Sequence, residues 1–169
     1  MQSEDRYKDM YLDLMDVLAL LVINQGNKDF NIDEEFIEDL LWTQIEDKYA
    51  FSILSLLYPN LDFKNNNFHK DHLHPVAQFS KLSRKDKSTY TWEDYNSIYN
   101  AQLLDANENM SKKDLPLSEW VNNQTNKSNR KKFLLDHLIP NVDLEITNFS
   151  EFFEARKALL IEKLKELLN

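Results

Sequence analysis

Apolar residues recur at helical spacing through the first sixty positions. Tyr7, Met10, Tyr11, Leu14, Val17, Leu18 and Leu21 make one stripe, which predicts a helix capped by Ser3, with Glu4 and Asp5 beside the positive end of its dipole. Asn24-Gln25-Gly26 ends it, the glycine suiting a left-handed C-cap. Asn31 and Glu34 have capping-box spacing and predict a second helix that turns Ile32, Phe36, Ile37, Leu40, Leu41 and Ile45 to the core. A third, from about Asp47 to Tyr58, is apolar on most of its circumference and stops before Pro59.

From Asp62 the pattern changes. Asn65-Asn66-Asn67 is loop chemistry, and Phe68 to Leu73 predicts a short strand closed by Pro75. A polar, basic connection, Lys81 to Lys87, leads to Tyr90-Thr91-Trp92, read as extended, and to a helical turn over Glu93 to Ser97. The β-branched and apolar run Ile98 to Leu104 predicts a second strand. Asp105 and Glu108, at capping-box spacing, start a helix at Ala106 that ends at Asp114-Leu115-Pro116. A short helix over Leu117 to Val121 packs Trp120 inward, and Trp42 and Trp92 are likewise read as core. Asn122 to Lys132 is an exposed polar stretch, and Phe133 to Ile139 a buried segment ending at Pro140. The last helix follows an Asn148/Glu151 capping box with a wide apolar face from Phe149 to Leu168.

Composition narrows what such a chain can do. With no cysteine, a disulfide framework, a thiolate zinc site and a cysteine nucleophile are all excluded. A single glycine excludes the glycine-rich phosphate loops of nucleotide-binding folds. The longest apolar run, Val17 to Ile23, is too short to span a bilayer, and a cytoplasmic protein without membrane contact is expected. Net charge is −9, yet it is uneven: −10 over residues 1–62, +4 over 63–132 and −3 over 133–169. The one basic section can attract phosphate, with Lys127, Arg130, Lys131 and Lys132 as candidate contacts.

That basic section also holds three of the four histidines, in Phe68-His69-Lys70-Asp71-His72-Leu73-His74-Pro75. Asp71-His72-Leu73-His74-Pro75 resembles the Asp-His-x-x-Pro start of an HNH nuclease motif. Asn100 matches its middle asparagine, and Asn109 with Lys112 its closing Asn-x-x-Lys. Asn100-Ala101-Gln102-Leu103-Leu104, Glu108-Asn109, Lys112, Trp120 and Phe149-x-x-Phe152-Phe153-x-x-Arg156 resemble the C-terminal domain of GmrSD-type restriction endonucleases over roughly residues 50 to 169.

The resemblance implies an α+β fold, mostly helical with an embedded ββα-metal (HNH) element. Residues 1–61 form an acidic helical section, 62–121 the nuclease element, and 122–169 a C-terminal helical section packing on the same domain. It implies metal-dependent hydrolysis of DNA phosphodiester bonds by the effector of a restriction or anti-phage system. Asp71 and Asn109 would be metal ligands, and oxygen donors suit Mg²⁺ or Mn²⁺, with Ni²⁺ or Zn²⁺ as alternatives. His72 would be the general base, Asn100 would orient it or brace the loop, and Lys112 would meet the substrate phosphate. His69 is either a further ligand or structural, His74 a packing residue, and His137 a core histidine with no role. The expected partners are DNA and a nucleotide-dependent specificity module, upstream or on a separate subunit. An RNA-cleaving HNH nuclease and a non-catalytic HNH-fold interaction module stay open as alternatives.

Overall fold

The computed structural model describes residues 33–168. The predicted Tyr7–Leu21 helix, its stop at Gly26 and the Asn31 cap lie outside the described residues. Helix α1 (Glu34–Leu41) begins where the Asp33 carboxylate accepts the Phe36 N–H at 2.9 Å, placing acidic Glu34 and Glu35 in the first turn. Helix α2 (Ala50–Leu57) buries Ile53, Leu54 and Leu57 and stops two residues short of Pro59.

Two antiparallel strands follow, β1 (Phe68–His72) and β2 (Ala101–Asp105), which form a two-stranded sheet. Their register runs from Phe68↔Asp105 through Asp71↔Gln102 to His72↔Ala101. The excursion between them is helical, correcting two expectations. Ser83 caps α3 (Arg84–Thr89) inside the supposed polar connection, its hydroxyl accepting the Asp86 N–H at 3.0 Å. Tyr90 and Thr91 have the expected extended backbone, but Trp92 is helical, because Thr91 acts as an N-cap. Thr91 forms a reciprocal capping box with Asp94 and starts α4 (Trp92–Tyr95).

Strand β2 also begins later than predicted. Ile98–Asn100 is a 3₁₀ turn, because the Ile98 N–H is taken by the Thr43 carbonyl and the Asn100 N–H by the Ser97 carbonyl, both at 3.0 Å. Helix α5 (Ala106–Lys112) follows β2 directly and packs on both strands. Its cap is Asp105, but the carboxylate accepts the Asn107 N–H at 2.9 Å instead of pairing with Glu108. Helices α6 (Leu117–Gln124) and α7 (Arg130–Asp136) lead to α8 (Phe149–Leu168), the longest element, which packs on α1 and α2.

One apolar core runs from Ile37 to Leu164 and draws on all three sections of the chain. Trp120 belongs to it, but Trp42 is 51% exposed and Trp92 36%, so those two tryptophans are not core residues. Trp42 instead donates its indole N–H to Asp94 at 3.3 Å from a surface position. Among the described residues, no helix is long and apolar enough to cross a membrane. The fold is thus mixed, mostly helical, with a two-stranded antiparallel sheet followed by a helix on its face.

Candidate functional site

Asp71 and His72 close β1, and strand alternation sends them to opposite sides. On one side, Asp71 Oδ2 accepts from the Lys112 ammonium at 2.9 Å and from the Gln102 amide at 3.0 Å. Gln102 must turn its NH₂ toward that carboxylate, which can only accept. Its Oε1 therefore accepts from His137 Nδ1, 3.1 Å away. A polar line His137–Gln102–Asp71–Lys112 crosses from α7 through the sheet to α5. Burial pushes His137 down to about 4, so the imidazole is neutral and its proton sits on Nδ1.

Lys112 is fully buried. Its ammonium also donates to the His72 carbonyl at 2.6 Å and lies 5.5 Å from the centre of the Trp120 ring. Burial lowers its pKa while Asp71 opposes the shift. Enclosed in this way, Lys112 braces the end of β1 and is not presented to a substrate phosphate, as its place in the motif had suggested. Lys127 and Lys131, by contrast, are exposed.

On the other side, His72 Nε2 lies 2.9 Å from Asn96 Oδ1. Asn96 in turn donates its NH₂ to Glu46 at 2.6 Å and to Gln44 at 3.2 Å. These groups meet because the 43–46 segment pairs with 96–98: Gln44 bridges Ser97, and the Ile45 N–H donates to the Asn96 carbonyl at 2.9 Å. Burial lowers the His72 pKa below its ordinary 6.5, with Asn96, Asp71 and Glu46 pulling the other way. The ring is therefore neutral at neutral pH and can accept a proton.

Asn100 is fully buried and clamps the turn after β1. Its Oδ1 accepts the His74 N–H at 2.9 Å, and its NH₂ donates to the His74 carbonyl at 3.1 Å and the Tyr95 carbonyl at 3.0 Å. Together with the Leu73 N–H to Asn100 carbonyl bond at 2.8 Å, this ties the strand carrying Asp71 and His72 to the start of β2. His74 lies inward against Phe149 and Phe152, ring centres 5.6 and 4.5 Å away. His69 is exposed, and its Nε2 lies 3.2 Å from the Asn67 amide.

Asn109 lies half-buried on α5, three residues before Lys112. Among the described residues its side-chain amide has no hydrogen-bond partner, and no donor reaches the second Asp71 oxygen. The side-chain oxygens of Asp71 and Asn109 are of the hard kind that Mg²⁺ and Mn²⁺ take. They make no closed cage, since among the described residues no group of three or more His, Cys, Asp or Glu could hold an ion. An ion at Asp71 would share that carboxylate with the Lys112 ammonium.

Sequence reasoning passed over Gln102, Asn96, Glu46 and the part played by His137. Gln102 was within reach: once Phe68 is set against Asp105, counting along the ladder puts Gln102 opposite Asp71. Asn96 and Glu46 carried no such signal, being joined only by a tertiary contact. Compared with known proteins, the chain matches no family model and no curated protein sequence.

Proposed function

We propose that the chain is a metal-dependent endonuclease of the HNH type, hydrolysing DNA phosphodiester bonds as the effector of a restriction or anti-phage system. The observation that carries this reading is the end of β1. There Asp71 and His72 are consecutive residues whose side chains leave opposite faces of the strand, held by the Asn100 clamp, with a helix bearing Asn109 packed on both strands. In this reading Asp71 and Asn109 hold a Mg²⁺ or Mn²⁺ ion. Bound there, such an ion supplies Lewis-acid stabilisation of the phosphate and of the leaving oxygen.

The chain's own residues do the rest. His72, neutral and fixed through Nε2, takes a proton from the attacking water. Asn100 holds the turn so that the imidazole keeps its place, and Lys112 anchors both the Asp71 carboxylate and the His72 carbonyl. The exposed lysines of the basic section draw the phosphate backbone toward the site.

Plasmid nicking in Mg²⁺, Mn²⁺ and Ni²⁺ tests the reading. His72→Ala should slow cleavage by about 10²- to 10⁴-fold, the usual contribution of a general base. Asp71→Asn, which keeps an acceptor beside Lys112, should remove metal-dependent activity. Equal nicking by wild type and both variants would reject the site. Cleavage of RNA but not DNA would replace the substrate assignment.

A further inference from the structure

His72 has two ring nitrogens, and only one can take a proton from water. The choice is made on the far side of the ring from the Asp71 cluster. Glu46 is a carboxylate and can only accept, so the Asn96 NH₂ must face it, at 2.6 Å. The same NH₂ meets Gln44 Oε1 at 3.2 Å, so both amide hydrogens are used. The oxygen of Asn96 is left pointing at His72 Nε2, 2.9 Å away, and an amide oxygen can only accept. A neutral His72 must therefore carry its hydrogen on Nε2. Asn96 is only 3% exposed, so its amide is shielded from water, although Glu46 itself is exposed.

We infer that Asn96, oriented by Glu46, is the positioning residue that fixes His72 as its Nε2–H tautomer and leaves Nδ1 as the proton acceptor. This rests on the nuclease reading for its consequence, but the hydrogen-bond assignment stands without it. Both residues lie outside the strand–strand–helix segment: Glu46 precedes it and Asn96 sits in the excursion between its strands. The acceptor nitrogen is thus chosen by packing around the hairpin, not by the hairpin.

Nitrogen-15 NMR of the ring reads the tautomer directly, in the full chain and without substrate. Wild type should show a protonated-type Nε2 and a lone-pair-type Nδ1; a hydrogen on Nδ1 would overturn the assignment. Asn96→Leu should let the two tautomers mix and lower kcat by about twofold or more with KM little changed, since a base in the wrong tautomer cannot accept. An unchanged tautomer and unchanged kcat in that variant would also overturn it. Should Asn96→Leu fail to fold, a second variant replaces it. Asn96→Asp keeps an acceptor at Nε2 and should hold the Nε2–H tautomer; a hydrogen on Nδ1 in that folded variant counts against the inference. A wild-type protein with the expected tautomer that cuts no nucleic acid would support the hydrogen-bond assignment and remove the nuclease reading instead.

Discussion

His74 packs edge-on to Phe149 and Phe152, and among the described residues its buried Nε2 has no hydrogen-bond partner. Burial pushes its pKa from 6.5 down to about 3, so the folded chain holds it neutral. Below pH 6.5 the unfolded chain takes up the proton and the folded chain does not. Stability from this residue is therefore full above pH 6.5 and falls toward pH 3, by about 1.4 kcal/mol per pH unit at most. His74→Phe should flatten the acid side of the stability profile, read as urea midpoints between pH 7 and 4.5. Asp71 and Lys112 make a second residue-scale prediction. Removing Asp71 leaves a buried ammonium unpaired, so Asp71→Ala should cost about 3–5 kcal/mol, measured by urea denaturation. Lys112→Met should cost less, because Asp71 keeps its Gln102 bond and its side chain is 13% exposed. The positions of Asp71, His72, Asn100 and Asn109 were legible as a spacing pattern. The enclosure of Lys112 was not, because spacing does not say which way a lysine turns when Trp120 arrives from another helix.

At the scale of elements, the order strand, excursion, strand, helix could be read from β-branched residues and the Asp105 cap. Two local preferences misled, one overruled by a distant partner and one by a residue three positions on. Ile98 and Tyr99 favour a strand, yet the 43–46 segment holds Ile98 in a 3₁₀ turn. Tyr90-Thr91-Trp92 favours extension, and Tyr90 and Thr91 keep it, but the Thr91–Asp94 box starts a helix at Trp92 because it satisfies two donors at once. The end of α5 shows the opposite conflict. Lys113 follows it at φ 48°, ψ −131°, a backbone region suited to glycine. Lys113→Gly should therefore stabilise the chain by about 1 kcal/mol, seen as a higher Tm without loss of helix signal.

At the scale of the molecule, α8 holds the assembly together through Arg156. The guanidinium is fully buried, and among the described residues no carboxylate pairs with it. It donates instead to the Leu138 carbonyl, to the His137 carbonyl at 3.3 Å, to the Ala101 carbonyl at 2.7 Å and to the Tyr58 hydroxyl at 3.4 Å. Its apolar helix was plain in the sequence, but the acceptors, three backbone carbonyls and the Tyr58 hydroxyl, leave no trace there. Arg156→Met should destabilise by about 3 kcal/mol or more, because buried carbonyls are left unsatisfied, and Arg156→Lys should not restore what the planar fork supplies. Denaturant midpoints of the two variants check this.

One cation thus joins α8 to the end of α2, to the first residue of β2 and to the turn after α7. Opening the hairpin means first withdrawing that cation from its carbonyls, which no local fraying of two short strands can do. The amide hydrogens of β2 should therefore exchange with deuterium only when the whole chain unfolds, and the nitrogen-bearing edge at His72 inherits the slowest clock in the molecule.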